Sequence, residues 1–239
     1  MKKKRFLNLA LKNQLLYKIY LYYNIYIRHL KFFRRASYSQ LKEDIIISKI
    51  LKYSKGFYVD IGCNHPIRNN NTYLLYKRGW NGLNIDLSKL NIDLFKVFRP
   101  RDHNICEVIL DKNANVKIFI PNNDPASYES TINKKFAKKL ANKKNYKHAC
   151  INKKGLNWKA ILRKYKIKIN KIDFLKIDVE GIDLRILKSI NIVKYKIKLL
   201  MIETPNFDKE NNKKINIYLK KMGYKNIYSN ILNSIFVKK

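Results

Sequence analysis

VDIGCN, residues 59–64, ends a short apolar strand that begins at Phe57. Gly62 lets the backbone turn tightly there and admits a ligand close to the main chain. Asp60 sets a carboxylate beneath that turn, able to accept from backbone amides or to face a cationic ligand. The next strand, Gly82–Leu87, ends with Asp86, where a carboxylate can accept both hydroxyls of a ribose. In an open parallel sheet, ligands bind outside the carboxyl ends of the strands, so these two blocks together form an adenosine-binding edge. The G-x-G-x-x-G cradle of dinucleotide sites is missing. After Gly62 the chain reads Cys63-Asn64-His65-Pro66, and Pro66 has no amide hydrogen to offer a phosphate. A cofactor without a pyrophosphate is preferred over NAD or FAD.

Outward from this point, strands alternate with helices. Asn71–Arg78 is expected to be a helix closed by Gly79, and Ser88–Phe98 a helix with Ser88 as its N-cap. His103–Leu110 and Val116–Ile120 are β-rich runs, followed by a helix near Leu156–Tyr165 and a strand at Asp173–Asp178. Further helices at Ile182–Ile190 and Asp208–Met222 flank a strand at Lys198–Glu203, and Asn226–Ser229 with Ser234–Val237 suggests a closing antiparallel hairpin. This is a doubly wound α/β pattern around a mostly parallel sheet. The 239 residues suffice for one large domain.

The formal charge is +35, from 52 basic and 17 acidic residues. A field of that size attracts polyanions, although a biased composition rich in Lys, Asn, Ile and Tyr accounts equally well for much of it. Thr131–Ile172 holds fifteen Lys or Arg and no acid. It breaks the strand–helix alternation, and is expected to be a basic insertion over the carboxyl edge of the sheet, with Tyr146, Trp158 and Tyr165 interspersed. Residues 1–36 form a leader that starts Met1-Lys2-Lys3-Lys4-Arg5, with no acid before Glu43. Its apolar part, Leu15–Ile27, is shorter than the roughly 20 residues a spanning helix requires, and it lacks a signal-peptide cleavage pattern. Its tyrosines, leucines and flanking arginines suit either a basic helix on an anionic membrane or a helix packed on the domain. Cys63, Cys106 and Cys150 form no zinc or disulfide pattern, and a reducing, cytoplasmic setting fits them.

GFYVDIGCNHPIRNNNTYLLYKRGWNGLNIDLS at 56–88 and DFLKIDVEGIDLRIL at 173–187 resemble the FkbM-type family of S-adenosylmethionine-dependent methyltransferases. SYSQLKEDIIISKIL at 37–51 and RPRDHNICEVI at 99–109 resemble it too, so the likeness runs from Ser37 to about Pro205 within a domain of residues 37–239. The resemblance implies the class I methyltransferase (Rossmann-like) fold, with a seven-stranded sheet whose last strand is antiparallel. It implies S-adenosylmethionine as cofactor and methyl transfer to an oxygen of a sugar, glycan or small molecule. By position, Asp60, Gly62, Cys63 and Asn64 would line the methionine part and Asp86 the ribose, with Asp102, Cys106 and Glu107 in the segment near the adenine. The block usually reading DVEGHE is here Asp178-Val179-Glu180-Gly181-Ile182-Asp183, without the histidine.

Asp178 and Glu180 end a strand beside the cofactor and are the carboxylates assigned to catalysis. They can take the acceptor's proton, clamp the acceptor, or join Glu203 around a divalent ion, although no metal is assigned. Glu180 and Asp183 have a plainer reading as acids in the first turn of the next helix. His65 is read as fixing the cofactor loop, Trp80 as core, and Asn69-Asn70-Asn71 as a helix cap. Two alternatives stand beside the enzyme on small molecules. One is an RNA-directed methyltransferase using the basic insertion. The other is a non-catalytic, membrane-associated binding protein that keeps the fold.

Overall fold

The computed structural model describes residues 7, 10–53, 55–121, 130–145 and 147–239; Met1–Arg5 and Tyr146 lie outside them. Strand β1 (Phe57–Ile61) sits mid-sheet, and successive side chains point to opposite faces. Val59 and Ile61 therefore enter one apolar core, and Tyr58 the other. Around β1 run β2 (Asn81–Asp86), β3 (His103–Cys106), β7 (Phe174–Ile177), β8 (Leu199–Glu203), β9 (Tyr224–Ser229) and β10 (Asn233–Lys238). The order is β3-β2-β1-β7-β8-β10-β9. All neighbours are parallel except β10, which is antiparallel to both β8 and β9. The closing hairpin places its last strand inside the sheet and leaves β9 at the edge.

Helices cover both faces. On one side, the buried residues of α1 (Gln14–Tyr22), α2 (Glu43–Ile50), α3 (Tyr73–Lys77) and α4 (Lys89–Phe98) share a core with Tyr58, Trp80 and Phe174. On the other, α6 (Trp158–Lys164), α7 (Asp183–Ser189) and α8 (Lys209–Lys221) bury Trp158, Ile186, Leu187, Ile215 and Leu219 against Val59 and Leu200. Trp80 is fully buried, and its indole N–H donates to the Tyr53 carbonyl. Ser88 caps α4 by accepting from the Asn91 amide. Asn70 Oδ1 accepts from the amides of Thr72 and Tyr73 (2.9 and 2.8 Å), which shortens the expected Asn71–Arg78 helix.

The β-rich run 103–110 is not one strand. It breaks at Glu107, whose amide bonds the Asp86 carbonyl, and β4 (Val108–Leu110) leaves the main sheet. With β5 (Ala114–Pro121) and β6 (His148–Asn157) it forms a three-stranded sheet of order β4-β6-β5. Within the basic stretch 131–172, α5 (Lys134–Lys144) precedes β6. No alternation in the β6 sequence announces a strand, because most of its side chains face water.

The described part of the leader is docked. Asn13 caps α1 through Leu15 and Leu16 amides, and the helix continues into a π turn, Tyr23–Arg28. Tyr17 donates to Asp93 of α4 at 2.9 Å. Among the described residues, no helix is long and apolar enough to cross a membrane.

Candidate active site

At the carboxyl ends of β1 and β7 the two backbones nearly touch. Gly62 adopts φ +75°, and a Cβ there would lie 1.7 Å from the Asp178 carbonyl oxygen. Beneath this contact lies Lys176, a buried cation in an otherwise apolar strand. Its Nζ donates to the Gly62 carbonyl (2.8 Å) and pairs with Asp178 (3.2 Å) and Asp60 (3.3 Å). Burial alone favours the neutral amine, but Asp60 and Asp178 outweigh it and hold Lys176 firmly protonated. The lysine thus anchors the glycine turn and the Asp178 carboxylate from a single point. Nothing but a lone charge inside an apolar strand could have announced it in the sequence.

Asp86 stands at the end of β2. Its Oδ2 accepts from the Asn64 amide and its Oδ1 from the Ser88 amide, both at 2.8 Å. Burial pushes its carboxyl up to about 6, against those two hydrogen bonds. The loop from Gly62 to Asn70 is fixed from behind by two residues. His65 Nδ1 accepts from the amides of Ile67 and Arg68, which is the loop-fixing role read from sequence. Arg99, fully buried, donates to Asn70 Oδ1 (2.7 Å) and to the Pro66 carbonyl.

Past β7 the chain turns sharply through Glu180 (φ +54°) and Gly181 (φ +96°). A non-glycine residue in that region is uncommon and marks a conformation held by its surroundings. Three groups hold it. Thr131 donates to the Glu180 carbonyl (2.7 Å), Asn133 to the Gly181 carbonyl (3.1 Å), and Asp183 accepts from the amides of Val179 and Gly181. Asp183 therefore braces the preceding turn more than it caps its own helix. Burial pushes its carboxyl up to about 7, with Asp178 adding repulsion. Glu203, ending β8, is raised well above the usual range by burial and by Glu180, Asp178 and Asp183. Asp178, Glu180 and Glu203 each offer a carboxylate oxygen within 4.8 Å of the others. That spacing suits an oxygen-ligated divalent cation.

These groups line one cavity of about 310 Å³, at the lower end of the roughly 300–1,000 Å³ typical of small-molecule sites. Gly62, Asn64, Asp86, Asp178 and Glu180 all face it, together with Glu107, Glu203, Thr131 and Phe136. Four expected residues do not, among them Cys106, which packs against Cys63, Ile92 and Phe95 with its thiol toward the Leu87 carbonyl. Asp60 lies behind the turn, accepting from Thr72 (2.9 Å) and facing Lys176. Cys63 turns its thiol into a small core with Ile92 and Phe95. Asp102 is committed to stapling strands, accepting from the Tyr58 hydroxyl, the Asn84 side chain and the Gly82 amide (2.6–2.9 Å). Five carboxylates line the cavity against one lysine, in a chain of charge +35. The interior of the site is anionic where the rest of the molecule is cationic.

A sheet of this order, with its last strand antiparallel and an acid ending the second strand, defines the class I, Rossmann-like methyltransferase fold. The chain belongs to the methyltransferase FkbM domain family, whose model matches residues 60–225. No curated protein matches it. Among solved structures it is similar to a TehB-like SAM-dependent methyltransferase from Corynebacterium glutamicum ATCC 13032 Kitasato, with 12% identity and a TM-score of 0.43, covering 82% of this chain and 87% of that one.

Proposed function

We propose that the protein uses S-adenosylmethionine to methylate a hydroxyl of a sugar, glycan or small molecule. The observation that carries this reading is the anionic cavity at the carboxyl edge, with Asp86 at the ribose position. Bound there, the cofactor would supply an electrophilic methyl on a positively charged sulfonium, and carboxylates favour a cation. The bare backbone at Gly62 and the free edge of Asn64 fit the close approach of its amino-acid part. Phosphates are disfavoured in such a cavity, which argues against an RNA strand entering it.

The chain's own residues then have three tasks. Asp86 holds the ribose through hydrogen bonds from its hydroxyls. Lys176 fixes Asp178, and the Thr131–Asn133–Asp183 brace fixes Glu180, so both carboxylates face the space where an acceptor approaches. Asp178 and Glu180, facing the acceptor, are the carboxylates able to take the proton that the acceptor hydroxyl loses, with Glu203 beside them.

Incubation with methyl-labelled cofactor and panels of sugars, small hydroxyl compounds and RNA tests the reading. Label is expected on an oxygen of a sugar or small molecule; label on RNA alone overturns that assignment. With the acceptor in hand, Asp178→Asn is expected to lower turnover about 10²-fold or more while cofactor affinity changes far less. Equal losses in both would reduce Asp178 to a structural role.

A further inference from the structure

Helix α1 is apolar on two faces. Tyr20, Leu21 and Ile25 are buried in the domain core, and Tyr17 is tied to Asp93. The opposite side carries Leu15 (67% exposed), Ile19, Tyr22 and, past the helix, Ile27 (66%) and Leu30 (58%). Leu15, Ile19 and Tyr22 are spaced four and three apart, so they form one stripe on the helix. The five-residue step from Tyr22 to Ile27 falls on the π turn Tyr23–Arg28, whose i→i+5 bonding absorbs the extra residue. At about 100° per residue, Lys18 projects beside this stripe, and the exposed Lys12 lies just before the N-cap Asn13. Arg28, Lys31, Arg34 and Arg35 follow, all exposed, and the chain has no acid before Glu43.

We infer that this face is a docking surface for an anionic lipid bilayer, with the α1 stripe entering the headgroup boundary and the six cations meeting acidic headgroups. Charge selects the occupant. A second copy of the chain would set six cations against six with no acid on the face to relieve them. A nucleic acid would use the cations but leave Leu15, Ile19 and Ile27 in water. An interfacial helix with an apolar stripe edged by lysine and arginine satisfies both features at once. Because its other face is already packed, the helix is presented preformed, and binding carries no cost of folding it.

Co-sedimentation of the full chain with vesicles tests this. Binding is expected to phosphatidylcholine vesicles containing phosphatidylserine, and not to phosphatidylcholine alone. Leu15→Glu with Ile19→Glu, and separately Ile27→Glu, should each weaken partitioning about tenfold or more, with unchanged thermal melting because these side chains are exposed. Lys18→Gln with Arg28→Gln should weaken it as well. Absence of binding to the anionic vesicles overturns the inference. So does binding that the glutamate variants leave intact, since the general positive charge would then suffice. A concentration-dependent dimer dissolved by the same glutamates, without vesicle binding, would assign the face to a second copy instead.

Discussion

Asp86 illustrates how one carboxylate can serve opposite ends. Its folded pKa, about 6, lies above its ordinary 3.8 because it is buried. Its contribution to stability is therefore fully present below 3.8 and is lost as pH rises through about 6. Ribose recognition has the opposite sign, since the hydroxyls need the ionised form as acceptor. Cofactor affinity is expected to be flat above about pH 7 and to decline as pH falls through 6; Asp86→Asn should flatten that decline. Calorimetric titrations across this range check it, and an affinity indifferent to pH in the wild-type protein would contradict the ribose assignment.

Gly62 is constrained more simply. Its φ of +75° and the 1.7 Å separation from a Cβ to the Asp178 carbonyl leave no room for a side chain. Gly62→Ala should force β1 and β7 apart, destabilising the protein by about 2 kcal/mol or more, visible in thermal melting. An unchanged melting temperature would mean that the two strand ends can move freely. At this scale the sequence was informative where a residue type is scarce in its setting: a glycine at a strand end, an acid at the next. Arg99 was hidden, because a basic residue in a chain with 52 of them carries no signal, and Lys176 was marked only as a lone charge in an apolar strand. Asp102 misled for the converse reason, its carboxylate being bound by three strand donors that sequence does not reveal.

At the scale of elements, the leader's Asn24 and His29 are latched to the Gly62–Asn70 loop through His65. His65 accepts loop amides at Nδ1, so its Nε2 carries the proton and donates to Asn24 Oδ1 (3.0 Å). His29 donates to the Asn24 carbonyl (2.7 Å), and the two imidazoles lie 4.4 Å apart. Burial pushes His29 down to about 4 and holds His65 well below its ordinary value, with Arg68 and Arg28 opposing a further charge. Both folded values lie below the ordinary 6.5, so the stabilisation is present above 6.5 and is lost as pH falls toward 4. Hydrogen-exchange protection in residues 14–28 should drop across that interval, well before protection in β7; a parallel loss in both would rule out a local latch. The alternating strands and helices of the main sheet were legible from periodicity. The small sheet was not, because β6 is mostly solvated on both faces and gains its place from pairing with β5, not from an apolar pattern.

Across the whole molecule, charge is segregated. A chain with three times as many basic as acidic residues gathers five of its 17 acids around one cavity. The basic surface and the acidic interior favour ligands of opposite charge, anions outside and a cation inside. The stretch 131–172 links the two, since Thr131 and Asn133 brace the Glu180 turn while lysines such as Lys134, Lys135, Lys153 and Lys154 face solvent. The direct test is calorimetric titration of S-adenosylmethionine into the wild-type protein and into Asp86→Ala. The wild type is expected to bind, and the variant, shown to be folded by a cooperative melt, to bind more than about tenfold more weakly, from the loss of hydrogen bonds to a charged acceptor. No binding by the wild type, or equal affinity in the two proteins, would contradict the placement of the cofactor at the ends of β1 and β2.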